Sequence, residues 1–457
     1  MKLWHYIREK MLDHPDQRII EGDVFMTYEE MCIFAENYAK KLTAPYYAIL
    51  CNSEMASAMA LLACFAAGKT AIPLPTRYGE KYYKKILDKA DPPALISDFS
   101  GELQEIIFDS IGGEHLGDST AVILFTSGST GTPKGVMLSE ENLISNLQGI
   151  SMYLSMSKQD KILIARPLYH SSVLTGEFLV ALNQGANIVF SSEPFQPLHI
   201  LRMIKKHHIT VFGSTPTLLS TLSRFARDTR DVSSVRLISV SGELMSEGMA
   251  KQIRQAFPKA KVYCGYGLTE ASPRVAFLPA ELFDETPTVT GRSLRGVSMR
   301  IVDNGGEAIW ESNKIGELWV KGDNIMQGYF RDAKKTQKTL TDGWLHTGDL
   351  AFWNEDDLLC ICGRKDDMII RAGMNIYPAE VENAISADPR VKDVLVYGYK
   401  KDSTQEVGMK ISGDFLCIDE IIDLCKEKLP SFQIPSKIEI VDENAIAQGG
   451  KKRRKNF

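Results

Sequence analysis

Residues 126–135, TSGSTGTPKG, combine hydroxyl side chains, glycines and one lysine. Glycines let backbone N–H groups approach an anion closely, the hydroxyls donate further hydrogen bonds, and Lys134 adds a positive charge. The pattern is not that of a P-loop, because Lys134 follows a proline and precedes a glycine. The stretch directly follows the apolar residues 121–125, whereas a flexible Ser/Gly linker would not adjoin a core strand. It therefore predicts a phosphate-binding loop at the end of a buried strand.

A second set of chemically useful side chains, Tyr266, Thr269 and Glu270, lies in the stretch YGLTE. A carboxylate opposite a phosphate loop suits Mg²⁺, because this ion is bound by one or two carboxylates plus substrate oxygens. Tyr266 offers a flat aromatic face to a purine. Taken alone, however, this pentapeptide is more typical of a surface loop than of a site.

Together with GWLHTGDL (residues 343–350) and GRKDD (residues 363–367), these two stretches resemble signatures of the adenylate-forming superfamily. That superfamily includes acyl- and aryl-CoA synthetases, adenylation domains of peptide synthetases, and luciferases. The motifs stand in the superfamily's order and span nearly the whole chain. The resemblance implies that the nucleotide is ATP and that its phosphates are bound by Thr126, Ser127, Gly128, Ser129, Thr130, Gly131 and Lys134.

The resemblance also implies roles for the second motif. Tyr266 would stack on adenine with Gly267 beside it, Thr269 would bind the α-phosphate, and Glu270 would hold Mg²⁺. These roles come from the superfamily's Tyr-Gly-x-Thr-Glu motif. The resemblance therefore favours a role of residues 266–270 in nucleotide binding over that of a plain surface loop.

Asp349 matches the superfamily's aspartate that binds the two ribose hydroxyls. A carboxylate suits this role because it accepts two hydrogen bonds from a vicinal diol. The alternative is that Asp349 caps a turn beside a glycine. By the same resemblance, Arg364 lies near the ribose or a phosphate, and Asp366 marks the hinge between two domains.

His170 stands in the stretch PLYHSS, and acyl- and aryl-CoA synthetases carry a similar stretch that lines the carboxylate pocket. A lone histidine is more often structural. Relatives that activate amino acids carry an aspartate just after the aromatic residue, where this chain has His170 and Ser171. The resemblance therefore implies a fatty or aryl acid rather than an α-amino acid. Further pocket positions are predicted at Phe212, Ser214, Ser241, Gly242, Gly265 and Gly267.

The C-terminal residues 445–454, AIAQGGKKRR, match the superfamily least well, because the usual proline and threonine are both alanine. The remaining Gly-Lys pair implies that Lys451 is the catalytic lysine, with Lys452 as its competitor. A cation between the carboxylate and the α-phosphate would stabilise negative charge. The alternative is a basic tail without a catalytic role. Gly373 would lie close to the incoming thiol, since glycine allows a close backbone approach.

The elements that must position these residues alternate between strands and helices. Apolar strands at residues 47–51 and 71–74 flank a helix at 53–67, and the alternation continues to residue 264, which predicts an α/β fold with a mainly parallel sheet. From residue 287 to 328 the period changes to two, which indicates an antiparallel sheet or small barrel. After residue 366 a small α+β unit follows. We therefore predict a large N-terminal domain (1–365) and a small mobile C-terminal domain (366–457).

Composition excludes several classes of function. The chain has 457 residues and a formal net charge of −5, so no global positive field favours a nucleic-acid partner. Its 8 cysteines are scattered without metal-binding spacing and indicate buried thiols in a reducing compartment. The longest apolar stretch is too short to span a bilayer. These features predict a cytoplasmic protein without a membrane span.

The implied reaction has two steps. A small carboxylic acid first attacks ATP with Mg²⁺ present, giving an acyl-adenylate and pyrophosphate, and a thiol then attacks the adenylate. Coenzyme A as the thiol would make the protein an acyl- or aryl-CoA synthetase. The phosphopantetheine arm of an acyl carrier protein would make it a stand-alone ligase that loads the carrier. A non-catalytic relative that only binds nucleotide is the alternative of a different class.

Overall fold

The computed structural model describes most of the chain, and all structural statements below refer to the described residues. These are residues 2–76, 79–98, 102–108, 119–126, 133–191, 193, 195–226, 229–371, 374–401, 404–415, 417–442, 446–448 and 451–452.

The first part of the chain alternates between strands and helices, as its hydrophobic pattern predicts. Helix α2 begins at a capping box in which Thr27 accepts a hydrogen bond from the backbone of Glu30 and the Glu30 side chain accepts one from Thr27. The elements are α1 (Leu3–Leu12), β1 (Arg18–Glu21), β2 (Val24–Thr27), α2 (Tyr28–Ala39), β3 (Tyr46–Leu50), α3 (Glu54–Ala66), β4 (Thr70–Pro73), α4 (Glu80–Ala90), β5 (Ala94–Ser97), β6 (Gln104–Ile107), β7 (Thr120–Thr126) and β8 (Lys134–Ser139).

The middle part continues the alternation up to residue 293. Helix α5 starts directly after β8 because Ser139 caps it, with the Asn142 backbone N–H donating to the Ser139 hydroxyl at 3.1 Å. The elements are α5 (Glu140–Tyr153), β9 (Lys161–Ile164), α6 (Ser171–Val173), a π-helix (Leu174–Leu179), α7 (Val180–Gln184), β10 (Asn187–Phe190), α8 (Pro197–His207), β11 (Val211–Ser214), α9 (Pro216–Phe225), β12 (Leu237–Ser241), α10 (Glu247–Ala256), β13 (Lys261–Gly267), β14 (Arg274–Leu278) and β15 (Arg292–Ser293).

The last part is richer in antiparallel strands. Its elements are β16 (Val297–Val302), β17 (Gly316–Gly322), β18 (Gly328–Tyr329), α11 (Ala333–Thr339), β19 (Leu340–Thr341), β20 (Trp344–Trp353), β21 (Leu359–Arg364), β22 (Ile369–Arg371), β23 (Met374–Ile376), α12 (Pro378–Ser386), β24 (Val391–Lys401), β25 (Thr404–Gly413), α13 (Ile418–Lys428), β26 (Lys437–Ile440), β27 (Ala447–Gln448) and β28 (Lys451–Lys452). The described strands β16 to β21, apart from β18, form a five-stranded antiparallel sheet in the order β16-β17-β20-β19, with β21 paired to β20.

Two large mixed sheets make up the N-terminal part. One has nine described strands in the order β15-β14-β13-β12-β11-β9-β10-β1-β2, and the strands from β13 to β1 run parallel. The other has seven described strands in the order β18-β8-β7-β4-β3-β5-β6. Parallel strands of a sheet bring their carboxyl ends to one edge, so β11, β12 and β13 deliver their following residues to the same place. The predicted α/β fold is confirmed.

The C-terminal part has a hydrophobic core of its own. Buried side chains between Ile369 and Leu429 pack together on the three-stranded sheet β24-β25-β26 and on helices α12 and α13. This core is separate from the clusters that fill the two large sheets. Helix α12 nevertheless lies against α10 of the N-terminal part, since a Cβ placed on Gly248 would be 3.0 Å from the Ser386 carbonyl oxygen.

Among the described residues, no helix combines the length and apolar character needed to cross a membrane. The described cysteines are all free thiols, and Cys32, Cys51, Cys64 and Cys425 are buried.

Candidate active site

A cleft of about 490 Å³ brings together most of the predicted nucleotide-binding residues that the structure describes. It lies between the N-terminal part and α12, whose Ala379 and Glu382 close one side. Gly242 and Gly265, predicted for the acid pocket, also line it. Residues far apart in the sequence therefore form one site. The residues that line the cleft and were predicted to bind the nucleotide are Thr126, Tyr266, Gly267, Thr269, Glu270, Asp349 and Arg364.

Asp349 is held from two sides at the bottom of this cleft. Arg364 lies opposite Asp349 in the β20–β21 pairing, and its Nη1 donates to Asp349 Oδ1 at 2.9 Å. The Tyr266 hydroxyl donates to the other carboxylate oxygen, Oδ2. Asp349 is 7% exposed, and burial raises the pKa of its carboxyl although the Arg364 charge lowers it. Each carboxylate oxygen has a second lone pair, so Asp349 can still accept hydrogen bonds from two hydroxyls.

Gly348 makes the approach of Arg364 feasible. Its φ is +70°, in the left-handed region, and a Cβ there would lie 2.9 Å from Arg364 Nη2. The Arg364 guanidinium also donates to the Thr347 carbonyl oxygen at 2.8 Å. Gly348 and Asp349 both lie within strand β20, so there is no turn at this position for Asp349 to cap. The alternative that Asp349 serves as a turn cap is therefore wrong.

Tyr266 does more than present an aromatic face. Burial, followed by the neighbouring Asp349 charge, raises the pKa of its phenol well above the usual value, so the hydroxyl remains a donor at neutral pH. Gly267 next to it packs against the following turn, where a Cβ would lie 1.9 Å from the Pro273 carbonyl oxygen. No side chain larger than hydrogen fits at Gly267 without moving the backbone.

Glu270 and Thr269 are positioned by residues from other elements. The Tyr329 hydroxyl donates to Glu270 Oε1 at 2.8 Å, and the Glu270 carbonyl oxygen accepts from the Met326 backbone at 2.9 Å. Burial and the Glu270 charge raise the pKa of the Tyr329 phenol. The Thr269 hydroxyl lies 3.2 Å from the Ser171 hydroxyl. This contact joins the second motif to the segment that carries His170.

The site fits Mg²⁺ bound together with nucleotide phosphates. No group of three or more His, Cys, Asp or Glu among the described residues could hold a metal ion by itself. Glu270 supplies one carboxylate that a tyrosine orients, and Mg²⁺ is commonly bound by one or two carboxylates plus phosphate oxygens. Glu270 is therefore the residue that would hold this ion.

Lys134 and Lys335 form a pair of cations beside Glu270. Lys134 is the first residue of β8 and pairs with Thr126, the last residue of β7. The Lys335 ammonium lies near the Lys134 side chain and 5.1 Å from the centre of the Tyr329 ring. Burial and the neighbouring Lys134 lower the pKa of Lys335 to about 8. Two adjacent ammonium groups repel each other unless an anion lies between them.

Sequence reasoning missed Lys335. It lies in the first turn of α11, whose sequence AKKTQKT is typical of a solvated helix. The backbone hydrogen bond from Phe330 to the Gly135 carbonyl oxygen, 2.8 Å long, fixes the chain before α11 against the start of β8. Only this long-range pairing brings Lys335 to Lys134.

Some predicted residues lie beside the cleft or outside the described residues. His170 is not one of the residues that line the cleft; it precedes α6, and its ring is 4.3 Å from that of Tyr169. Lys451 lies in β28, whose backbone pairs with β27, and its predicted role stays a prediction. Outside the described residues are Ser127, Gly128, Ser129, Thr130, Gly131 and Gly373.

The acid-pocket prediction needs one correction. Phe212 is fully buried in the core cluster that also contains Ile238 and Leu219, so it supports the sheet instead of lining the cleft. Ser214 and Ser241 are 1% and 5% exposed at the carboxyl ends of β11 and β12.

Comparison with known proteins finds a matching family model and similar enzymes. Residues 7–330 match the family model described as AMP-binding enzyme. Over 459 residues the chain is 28% identical to 2-succinylbenzoate–CoA ligase of Bacillus subtilis, covering 94% of this chain and 91% of that enzyme. Over 342 residues it is 32% identical to YngI of Bacillus subtilis, whose name places it among acyl-CoA synthetases. That alignment covers 73% of this chain but only 62% of YngI.

Solved structures show the same likeness over nearly the whole chain. The o-succinylbenzoate CoA synthetase of Bacillus subtilis, in complex with its acyl-adenylate intermediate, superimposes with a TM-score of 0.83 at 26% identity, covering 99% of this chain and 97% of that one. A structure of that synthetase with ATP and a magnesium ion has a TM-score of 0.81 at 26% identity, covering 96% and 95% of the two chains.

Proposed function

The chain belongs to the AMP-binding enzyme family, and we propose that it is an AMP-forming acid–thiol ligase that converts a carboxylic acid into its CoA thioester through an acyl-adenylate. The observation that carries this proposal is the convergence of Tyr266, Asp349 and Arg364 with Glu270 in one cleft. This arrangement offers an aromatic face, a diol acceptor and a carboxylate for a phosphate-bound cation, which are the groups that ATP requires.

ATP binds with its adenine on Tyr266 and its ribose hydroxyls on Asp349. Arg364 fixes that carboxylate at 2.9 Å, and Thr269 places its hydroxyl at the α-phosphate. Glu270 would hold Mg²⁺, which would supply positive charge to the phosphate oxygens. Lys134 and Lys335 bind the two terminal phosphates, which explains why two cations lie together.

In the first step an oxygen of the substrate carboxylate attacks the α-phosphorus in line with the departing pyrophosphate. A new P–O bond forms as the α,β-anhydride bond breaks, and the negative charge moves to pyrophosphate. Lys134 and Lys335 stabilise that charge, and Lys451 bridges the carboxylate and the α-phosphate, with Lys452 as the alternative. His170 and Ser171 form the wall next to the reacting carboxylate.

In the second step a thiol attacks the acyl carbon and AMP leaves. We place the domain boundary at residue 366, so that rotation about Asp366 removes Lys451 and brings Gly373 to the cleft. Coenzyme A is the acceptor that the names of the relatives support. The phosphopantetheine arm of a carrier protein is the second candidate. The free, buried thiols of Cys32, Cys51 and Cys64 support a reducing compartment such as the cytoplasm.

The acid is fatty or aryl rather than an α-amino acid, because His170 and Ser171 stand where amino-acid-activating relatives carry an aspartate. A first experiment measures pyrophosphate release and thioester mass across fatty, aryl and amino acids, with and without CoA. Release with an acid and accumulation of its CoA thioester are expected. Release that CoA neither accelerates nor converts to thioester would indicate a carrier protein. No release with any acid would indicate a non-catalytic nucleotide-binding relative.

A further inference from the structure

Three charged side chains are buried together beside Gly213 and Gly265. Glu177 lies in the π-helix and is 3% exposed, and Arg274 begins β14 and is 2% exposed. Arg166 forms an ion pair with Glu177 through its Nη2 and Oε1 atoms, and its side chain is 11% exposed. Burying charges in this way is costly unless they are fully paired and hydrogen-bonded.

This Arg166–Glu177–Arg274 cluster lies directly against Gly265, one of the positions predicted for the acid pocket. A Cβ on Gly265 would lie 1.9 Å from Arg274 Nη1, so the guanidinium rests directly on that glycine. A Cβ on Gly213, next to Ser214, would lie 2.3 Å from the Glu177 carboxyl carbon. Both glycines stand at the ends of strands whose next residues reach the cleft, Gly265 being followed at once by Tyr266.

Several polar atoms of the cluster have no hydrogen-bond partner in the protein. Among the described residues, Arg274 Nε, Arg166 Nε and Glu177 Oε2 are buried and have no hydrogen-bond partner. The hydroxyl of Thr175, next to Gly176, is also buried without one. Buried polar atoms of native proteins are almost always paired, so several orphans at one place indicate a missing polar group. Glu177 Oε2 lacks a donor, but the two arginine Nε atoms lack an acceptor, and two guanidinium groups against one carboxylate leave an excess of positive charge that an anion would balance.

Two buried asparagine side chains fix the backbone of Arg274. The Asn146 side chain accepts from the Arg274 backbone N–H at 3.1 Å and donates to its carbonyl oxygen at 2.7 Å. Asn324 donates to the same carbonyl oxygen at 3.1 Å. Both asparagines are fully or almost fully buried. The backbone that carries the guanidinium is thus fixed by two buried amides.

We propose that the Arg166–Glu177–Arg274 cluster is the floor of the acid pocket and that the substrate is a dicarboxylic acid, whose second carboxylate binds Arg274 while the first reacts with ATP. This inference rests on the proposed function and narrows its substrate class from fatty or aryl acids in general to those with a distal anion.

The test compares dicarboxylic acids of four to six carbons, and aromatic dicarboxylates, with their monomethyl esters of equal length. Pyrophosphate release gives kcat/KM for each member of a pair. The wild-type protein should prefer the diacid at least about 100-fold, because an ester leaves the buried guanidinium without its anion. Arg274→Met should reduce that preference to a few-fold while the KM for ATP stays within about 2-fold of wild type. Arg274→Lys should keep part of the preference for the diacid.

Arg236→Met is the matched control, since it also removes an arginine paired with a buried carboxylate, that of Asp160 at 2.6 Å. It should leave the diacid preference unchanged. Equal kcat/KM for diacids and esters in the wild-type protein would overturn the inference, whether or not the Arg274 variants fold. Retention of the diacid preference in a folded Arg274→Met variant would also overturn the inference. Absence of pyrophosphate release with every acid would instead refute the proposed function.

Discussion

The Tyr266 hydroxyl donates a hydrogen bond to Asp349, and this bond joins the large nine-stranded sheet to the five-stranded antiparallel sheet. Arg364 holds the same carboxylate from its other side. The proposed adenine face and the proposed ribose acceptor are therefore parts of one hydrogen-bonded unit. Substitutions that separate the ring of Tyr266 from its hydroxyl can test that coupling.

Tyr266→Phe keeps the aromatic face and removes the hydroxyl. We expect the Kd for ATP to rise by about 5- to 10-fold, which corresponds to one lost hydrogen bond to a charged group. Without the donor, the pKa of Asp349 should rise further, so affinity should be lost at a higher pH than in the wild-type protein as pH falls. Calorimetric titration at several pH values measures both effects. Tyr263→Phe, on the same strand, is the control, and equal behaviour of the two variants would contradict the prediction.

Glu270→Gln tests the magnesium role. The amide oxygen can still accept from Tyr329, so the orientation survives while the negative charge is lost. We expect the Mg²⁺ concentration for half-maximal pyrophosphate release to rise at least about 10-fold, with kcat lowered by about 100-fold. Binding of the free acid should not change. Tyr329→Phe, which keeps the carboxylate, should affect Mg²⁺ dependence far less. A Gln variant with wild-type Mg²⁺ dependence would remove Glu270 from the metal site.

Lys335 should make ATP affinity depend on pH. Because burial and Lys134 lower the pKa of Lys335 to about 8, its charge is present below that pH and lost above it. The KM for ATP should therefore rise as pH increases through about 8. Lys335→Arg should flatten this rise, since arginine stays charged. Lys335→Met should weaken ATP binding about 10-fold at pH 7.

The exposed Lys338 of the same helix provides the control, and Lys338→Met should behave as the wild-type protein. If Lys335→Met and Lys338→Met have the same pH profile, Lys335 does not contact the nucleotide.

Lys451→Ala should separate the two half-reactions. We expect adenylate formation, followed by pyrophosphate exchange, to fall by at least about 100-fold. Thioester formation from a synthetic acyl-adenylate should stay close to wild type, since the proposed rotation removes Lys451 from the site for that step. Lys452→Ala is the paired control and should impair neither step. Reversal of the two results would identify Lys452 as the catalytic lysine, and equal loss of both steps would contradict the domain rotation.

Much of the site could be predicted from local sequence. Residues 121–125 were expected to form a core strand and lie within β7, because a short apolar run before glycines has few alternatives. Thr269, Glu270 and Asp349 were found because their motifs are continuous in the chain and resemble family signatures. The same signatures did not predict that Tyr266 bonds Asp349, since that contact depends on the relative placement of two sheets.

The sequence by itself determined the α/β class, the family and the residue types available to ATP, because these depend on local periodicity and contiguous motifs. Only the tertiary structure decided which side chains meet. Lys335 belongs to a helix whose sequence is typical of a solvent-exposed helix. Arg166, Glu177 and Arg274 come from separate segments of the chain that share no motif. Burial and charge proximity arise from packing between distant segments, and these two properties turn ordinary lysines and arginines into candidates for phosphate and carboxylate recognition.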